Sequence, residues 1–442
     1  MNYNSFSILV FIIALLSIGC SNQKNKKLSD GKLPTVEING MKIADLDPYL
    51  LVPVDVKLSQ LTENIRIIPL ETNPESLLSG SVDFQIGEKY IIARNRTGEG
   101  VFQFTIDGSF IRKIIATGSA PDEFPGMPIL CLAEKEDLLL AITFRSDHIY
   151  LYSLSSGSFL GSFNKPLLDP GESLYECRYL GDSLVLVSYN KLSVNEKTAN
   201  KCGLKIKTLD GKLIWEKGFD YGSRMILSIS DINQLLGSNI SLLSTGNTDE
   251  YIIQIEDQDT VYSLDIGTYS LRPKLLKRFE KIKVGGFPVS SAVPDCGIEE
   301  QEFASVNGYQ LKHYIHVNDV ADDRIYASYE RFFILYDDNT KQAYRIVNYE
   351  NDFLGFSQNL EQHMEITAPG DIPHNLPVLS KPDGKLVEIY EALHFLDYAT
   401  RALENPELDP LARKRLQDIT GKVIETSNPI LLIGDMKENV DL

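Results

Sequence analysis

The sequence has little of what most function classes require. It carries one tryptophan, Trp215, in 442 residues. It has no G-x-S-x-G elbow, no H-E-x-x-H, no G-x-G-x-x-G following a strand and no Walker sequence, so the familiar nucleophile, zinc, dinucleotide and nucleotide sites lack their signatures. Five cysteines are present and none is paired as C-x-x-C, which leaves a metal knuckle or a dithiol redox motif without support. Basic charge is short. There are 43 Lys and Arg against 61 Asp and Glu, a net charge of −18, with no basic tract beyond Lys24–Lys27. Nucleic-acid phosphates demand a basic face, so a nucleic-acid partner is excluded. Long apolar runs are also missing. The longest, Ile8–Leu16, has nine residues and is too short to span a bilayer.

What is present is a repeat. An apolar strand at Tyr90–Ala93 leads through a polar loop to Val101–Phe104, and Asp107-Gly108 turns into a third strand at Phe110–Ile114. Asp-Gly tolerates the positive φ that a tight hairpin needs. The middle strand reads acid–x–branched–aromatic–x–apolar. It appears as Glu99–Phe104, Asp147–Tyr152, Asp259–Leu264 and Glu330–Leu335. Turns follow at Asp107-Gly108, Ser156-Gly157, Asp210-Gly211, around Gly267 and at Asp338-Asn339. An all-strand unit of about 40–50 residues marks a β-propeller blade, and a β-sandwich with accidental spacing is the alternative.

In chain order, blades one to five fall at 81–115, 128–163, 174–216, 241–279 and 311–347, with polar loops expected over 281–310 and 348–375. Blade six departs from the pattern. After the strand Leu386–Tyr390, the residues Ala392, Leu393, Leu396, Ala399, Ala402 and Leu403 form one helical stripe. Asp409-Pro410 supplies an N-cap with proline at the first helical position, opening a second helix over 411–423. A final strand at Ile430–Gly434 leaves blade six one strand short, and Ile65–Leu70 is expected to complete it. The expected fold is therefore all-β: a six-bladed β-propeller closed by an N-terminal strand, with a helical insertion in the last blade. Val36–Val56 is expected to lie across the outside.

Several stretches resemble the six-bladed β-propeller lipoproteins of gut-dwelling Gram-negative bacteria, distant relatives of NHL-repeat propellers. They are Ile65–Thr72, the Ile106–Ile111 hairpin, the connector Gly118–Phe124 and the ending Asn428–Ile433. The connector resembles that family's Gly-x-Gly-Pro-Gly-Glu-aromatic pattern, with Ala120 and Asp122 in place of two glycines. The resemblance runs from about Leu61 to Lys437 and implies a fold more than an activity.

The N-terminus reads as a processing signal. Ser17, Ile18 and Gly19 precede Cys20, a box similar to that of bacterial lipoproteins, with Cys20 as the lipidated residue. A plain secretory signal is the alternative. The expected organisation is a signal over 1–20, a tether and extension over 21–60, and the propeller over 61–437 with its helical insertion at about 391–425. This implies a membrane partner through the lipid and an outer-membrane lipoprotein facing the periplasm. The remaining cysteines, Cys131, Cys177, Cys202 and Cys296, allow three disulfide pairings, and buried free thiols are the reading preferred.

Strand alternation puts the loop between a blade's second and third strands on the same face as the blade-to-blade connector. That face is expected to gather Arg94, Arg96, Arg145 and Arg331 with Glu123, Asp147, His148 and Glu330. Arginine's planar fork suits an anionic or polar ligand or an acidic protein segment, and bracing of adjacent blades is the competing use. His313 and His316 stand three apart on an expected strand and point to opposite faces, which argues against a shared metal. Asp319, Asp322 and Asp323 form an acidic loop that could hold Ca²⁺, but the spacing is not that of an EF-hand and a solvated turn is the reading preferred. Two function classes stay open. One is a lipid-anchored binding or scaffold module, with its cofactor left open between none and Ca²⁺. The other is a metal-dependent hydrolase or lyase with its site at the central channel.

Overall fold

The computed structural model describes residues 31–46, 50–79, 82–95, 100–119, 123–143, 148–163, 167–191, 200–221, 240–244, 249–255, 260–277, 299–306, 309–317, 327–337, 340–359, 363–366, 378–380 and 385–437. The chain enters as a hairpin of β1 (Thr35–Ile38) and β2 (Met41–Leu46), then β3 (Val52–Lys57), one helical turn α1 (Leu58–Leu61) and β4 (Thr62–Pro69). Each repeat then folds as an antiparallel sheet. Blade one is β5 (Val82–Ile86), β6 (Tyr90–Asn95), β7 (Val101–Thr105) and β8 (Phe110–Ile115). Blade two is β9 (Ile129–Ala133), β10 (Leu138–Ile142), β11 (Ile149–Ser153) and β12 (Phe159–Phe163). Blade three is β13 (Glu172–Gly181), β14 (Leu184–Lys191), β15 (Asn200–Thr208) and β16 (Leu213–Tyr221). Blade four is β17 (Ile240–Ser244), β18 (Glu250–Ile255), β19 (Thr260–Asp265) and β20 (Ser270–Lys277).

Blade five is β21 (Glu299–Val306), β22 (Tyr309–Val317), β23 (Ala327–Asp337) and β24 (Gln342–Asn351). Two short strands join it: β25 (Phe356–Asn359) pairs with β24, and β26 (His363–Ile366) with β23. Blade six is β27 (Val378–Ser380), β28 (Lys385–Tyr390) and β29 (Ile430–Met436), with helices α2 (Ala392–Glu404) and α3 (Pro410–Thr420) between the last two strands. Its fourth strand is β4, which pairs Ile67 with Leu432 and Ile68 with Leu431. This is the closure expected from Ile65–Leu70, and it joins the two ends of the ring.

The strands are apolar on both sides because each sheet is covered on both sides. In β6, Ile91 and Ala93 pack toward blade six while Ile92 packs toward blade two. Among the described residues the core divides into six clusters, one for each seam between neighbouring blades. The Asp107-Gly108 turn shows why glycine is required there. Gly108 has φ of +87°, and a Cβ on it would lie 2.6 Å from the Pro69 carbonyl oxygen. The segment before the propeller runs along the outer rim as strands: β2 pairs in parallel with β20, and β3 with β24. It thereby covers the outer edges of blades four and five, as its expected external position requires.

Three expectations need correction. The stretch 281–310 is not all loop, since β21 forms within it and pairs with β22; its residues Glu299-Glu300-Gln301-Glu302 lack the apolar alternation that announces a strand. The stretch 348–375 likewise contains the end of β24, β25 and β26. The helical stripe is shifted in phase. Ala392, Phe395, Ala399 and Ala402 are the buried residues of α2, and Leu393 is 51% exposed. Phe395 wins because its ring meets those of Phe356 and Tyr390 at centroid distances of 5.9 and 5.7 Å. The second helix is capped as expected, with Asp409 Oδ1 accepting from the N–H groups of Leu411 and Ala412 at 2.9 Å each.

Candidate functional site

The connector from blade one to blade two builds the site. After β8, the backbone doubles back so that the Phe124 N–H donates to the Ala116 carbonyl at 2.8 Å and the Gly118 N–H to the Phe124 carbonyl at 3.0 Å. This drives Phe124 fully into the seam between the blades. Its ring meets Tyr150 of β11 edge-on at 5.0 Å, and the His148 ring lies 6.3 Å from Tyr150. Glu123, the residue before Phe124, is half-buried, and its carboxylate lies over Gly118 where a Cβ would collide with it. Glu123 and His148 thus lie on segments that meet through the Phe124–Tyr150 contact.

Arg94 has a different job. At the end of β6 its guanidinium is held by Asp83 of β5, with Nε 3.2 Å from Oδ2, and it also donates to the Pro128 carbonyl at the start of blade two. It braces two blades. Arg96, Arg145 and Asp147 lie outside the described residues, as do Cys20, Cys296, Asp319, Asp322 and Asp323. Glu330 and Arg331 fall within β23, opposite His316 and Ile315 of β22, and not in the loop that precedes it. His313 and His316 both lie on β22, three positions apart. Among the described residues, no group of three or more His, Cys, Asp or Glu is placed to hold a metal ion.

The sequence reading missed an exposed aromatic ring that packs on Tyr150 from the other end of β11. Phe159 of β12 is 49% exposed, and its ring lies 6.1 Å from Tyr150 and 5.6 Å from Tyr152. The signal was the Phe159-Leu160 pair just after the Ser156-Gly157 turn, where an outer strand has no further sheet to bury it.

Two buried ionic clusters lie elsewhere. Lys205 of β15 is completely buried and donates to Asp169, on the segment leading into blade three, at 2.7 Å and to Glu172, the first residue of β13, at 2.6 Å, so this cluster braces blade three and its entry segment. Burial opposes its charge, but the hydrogen bonds to Asp169 and Glu172 outweigh it and hold the ammonium pKa above its usual value. The hydrogen bond from Lys205 in turn holds the Asp169 carboxyl below its usual range. Lys207 has its pKa lowered, by burial first and then by the charge of Lys205. The second cluster centres on Glu388 of β28, which is fully buried. It accepts from Tyr390 Oη, from Tyr349 Oη and, at 2.7 Å, from Asn351 Nδ2, the last two on β24 of blade five. Burial raises the Glu388 pKa, and the three hydrogen bonds oppose that rise only in part.

Six sheets around a ring, four of four strands and two widened by added strands to six and seven, sealed by the pairing of β4 with β29, define a six-bladed β-propeller. A family model for a domain of unknown function, DUF4934, matches residues 42–435, so the chain belongs to the DUF4934 family. No curated protein matches the sequence. Among solved structures, a candidate exported protein of Bacteroides fragilis is similar at 17% identity and a TM-score of 0.53, covering 87% of this chain and 98% of that one. The calcium-binding protein regucalcin of Agrobacterium tumefaciens follows at 10% identity and 0.33, covering 82% and 91%. The WD40 domain of Toxoplasma gondii coronin stands at 11% and 0.32, covering 55% of each chain. At these identities the likeness concerns the fold alone, and the two lower scores carry no further argument. No helix among the described residues is long and apolar enough to cross a membrane.

Proposed function

We propose that this propeller is a binding or scaffold module of the cell envelope, held at a membrane by lipid on Cys20, that offers its connector face to a polar or anionic ligand or an acidic protein segment. One observation carries the reading: the connector seats Phe124 edge-on against Tyr150 of β11, and the rings of His148 and of the half-exposed Phe159 lie 6.3 and 6.1 Å from that same tyrosine. By contrast, the buried Lys205 cluster is engaged in bracing blade three and the Glu388 cluster in fastening blade six to blade five. The likeness to a candidate exported protein supports an envelope or secreted location.

The test uses a panel of acidic peptides and phosphorylated or carboxylated small molecules, read by thermal shift. A midpoint shift in the wild-type protein that is lost in Arg96→Ala, Arg145→Ala and His148→Ala, each with an unchanged ligand-free midpoint, supports the site. A shift retained in all three variants overturns it. The location is tested separately: Cys20→Ala is expected to move the protein from the detergent-extracted membrane fraction to the soluble one, and unchanged membrane association refutes the anchor.

A further inference from the structure

Blades two and three meet along a single apolar seam, and two thiols lie in it. Cys131 sits on β9 and Cys177 on β13, the innermost strands of consecutive blades. Register places Cys131 beside Leu140 of β10 and Cys177 beside Val187 of β14, and all four belong to the same buried cluster. The two cysteines are free, almost wholly buried and hydrogen-bonded to each other through their side chains. Cys202, by contrast, packs in the seam between blades three and four, on the opposite face of blade three. Facing thiols on adjacent inner strands are the arrangement from which one covalent bond can join two blades.

We propose that Cys131 and Cys177 form an inter-blade disulfide when the chain folds in contact with a disulfide oxidant. One cysteine thiolate attacks a sulfur of the oxidant, forming a mixed disulfide and releasing one thiol. The second cysteine then attacks the mixed disulfide at the first cysteine's sulfur, and the second oxidant thiol departs. The two cysteines lose two electrons to the oxidant's S–S bond, and their two protons leave with the released thiols. The timing follows from chemistry. The hydrogen bond with Cys131, then burial, pushes the Cys177 thiol well above its usual pKa, so little thiolate exists once the seam is sealed. Exchange therefore belongs to the stage when β9 and β13 are already neighbours but the ring is open. Once made, the bond lies out of reach of soluble reductants.

The experiment refolds the full chain from denaturant in parallel, with a reduced and oxidised glutathione mixture or with dithiothreitol. Each sample is alkylated under denaturing conditions, digested and mapped by mass spectrometry. The glutathione sample is expected to yield the Cys131 peptide linked to the Cys177 peptide. It is also expected to melt about 5 °C higher than the reduced form, the size expected for closing a loop of this length in a domain this large. Cys131→Ser and Cys177→Ser should each abolish the linked peptide and the rise. Peptide mapping of the wild-type chain decides the matter even where a serine variant fails to fold. Complete alkylation of both cysteines after oxidative refolding overturns the proposal, as does linkage of either to another cysteine or a linked pair with no rise in melting temperature.

Discussion

Glu388 is the sharpest place to perturb this fold. Its carboxylate is the common acceptor for Tyr349, Tyr390 and Asn351, so it fastens blade six to blade five from within. Replacing it with leucine leaves the phenol of Tyr349 without its acceptor in a site closed to water. Asn351 Nδ2 keeps a contact with Tyr390 Oη, at 3.3 Å. Two buried donors are therefore orphaned, each at about 1–3 kcal/mol, and Glu388→Leu should destabilise by roughly 3–5 kcal/mol. Tyr349→Phe removes a donor while the acceptor keeps two others, and should cost only about 1 kcal/mol. The pH dependence is a separate signature. A carboxyl whose pKa is raised on folding favours the folded state most where it is protonated. Its contribution is present below the ordinary glutamate value and is lost as pH rises through the folded-state pKa. Glu388→Gln removes that titration. Denaturant unfolding at a series of pH values is the assay. The wild-type stability, measured relative to Glu388→Gln, should fall as pH rises from 4 toward neutrality, through a midpoint above the ordinary glutamate value. A pH-independent difference, or a Glu388→Leu protein within about 1 kcal/mol of wild type, refutes the reasoning.

Truncation before Pro74 removes β4 and should lower the stability of the whole domain, read as a depressed or broadened melt; a single cooperative melt with unchanged midpoint refutes the closure. Asn428 donates to the carbonyls of Glu71 and Ser76 and accepts from the Leu78 N–H, so Asn428→Ala should cost about 2–4 kcal/mol in chemical denaturation. Lys205→Met strips the buried Glu172 of its partner and should cost about 3–5 kcal/mol, with the loss shrinking at low pH as Asp169, whose pKa is held down by Lys205, protonates. A Lys205→Met protein as stable as wild type at neutral pH would show that the cluster does not brace blade three.

The ring was legible because its turns are chemical. Asp-Gly and Ser-Gly pairs at near-constant spacing announce hairpins whatever surrounds them. Strands with acidic beginnings, such as Glu299–Val306, announce nothing, because their partners supply the order. In α2 two apolar stripes overlap, and only the rings of Phe356 and Tyr390 decide that Phe395 turns inward and Leu393 outward. The repeat spacing put Glu123 on the connector between blades one and two, where it lies, without telling what its carboxylate does there. For Arg94 the sequence left blade bracing and ligand binding both open, because its carbonyl partner, Pro128, belongs to the next blade. Glu388 passed as one residue of an apolar strand for the same reason: its meaning resides in Tyr349 and Asn351 across the seam.

The pairing of Ile68 with Leu431 also sets a clock. A ribosome delivers β4 early and β29 only after every other blade has been made, so the first propeller strand waits without its partner for most of synthesis. Contacts so distant in sequence form late and slowly. Until Ile430–Met436 emerges the ring stays open at one seam, and the chain can still be threaded, captured by a chaperone or oxidised in its interior. The last strand to appear ends that period of access.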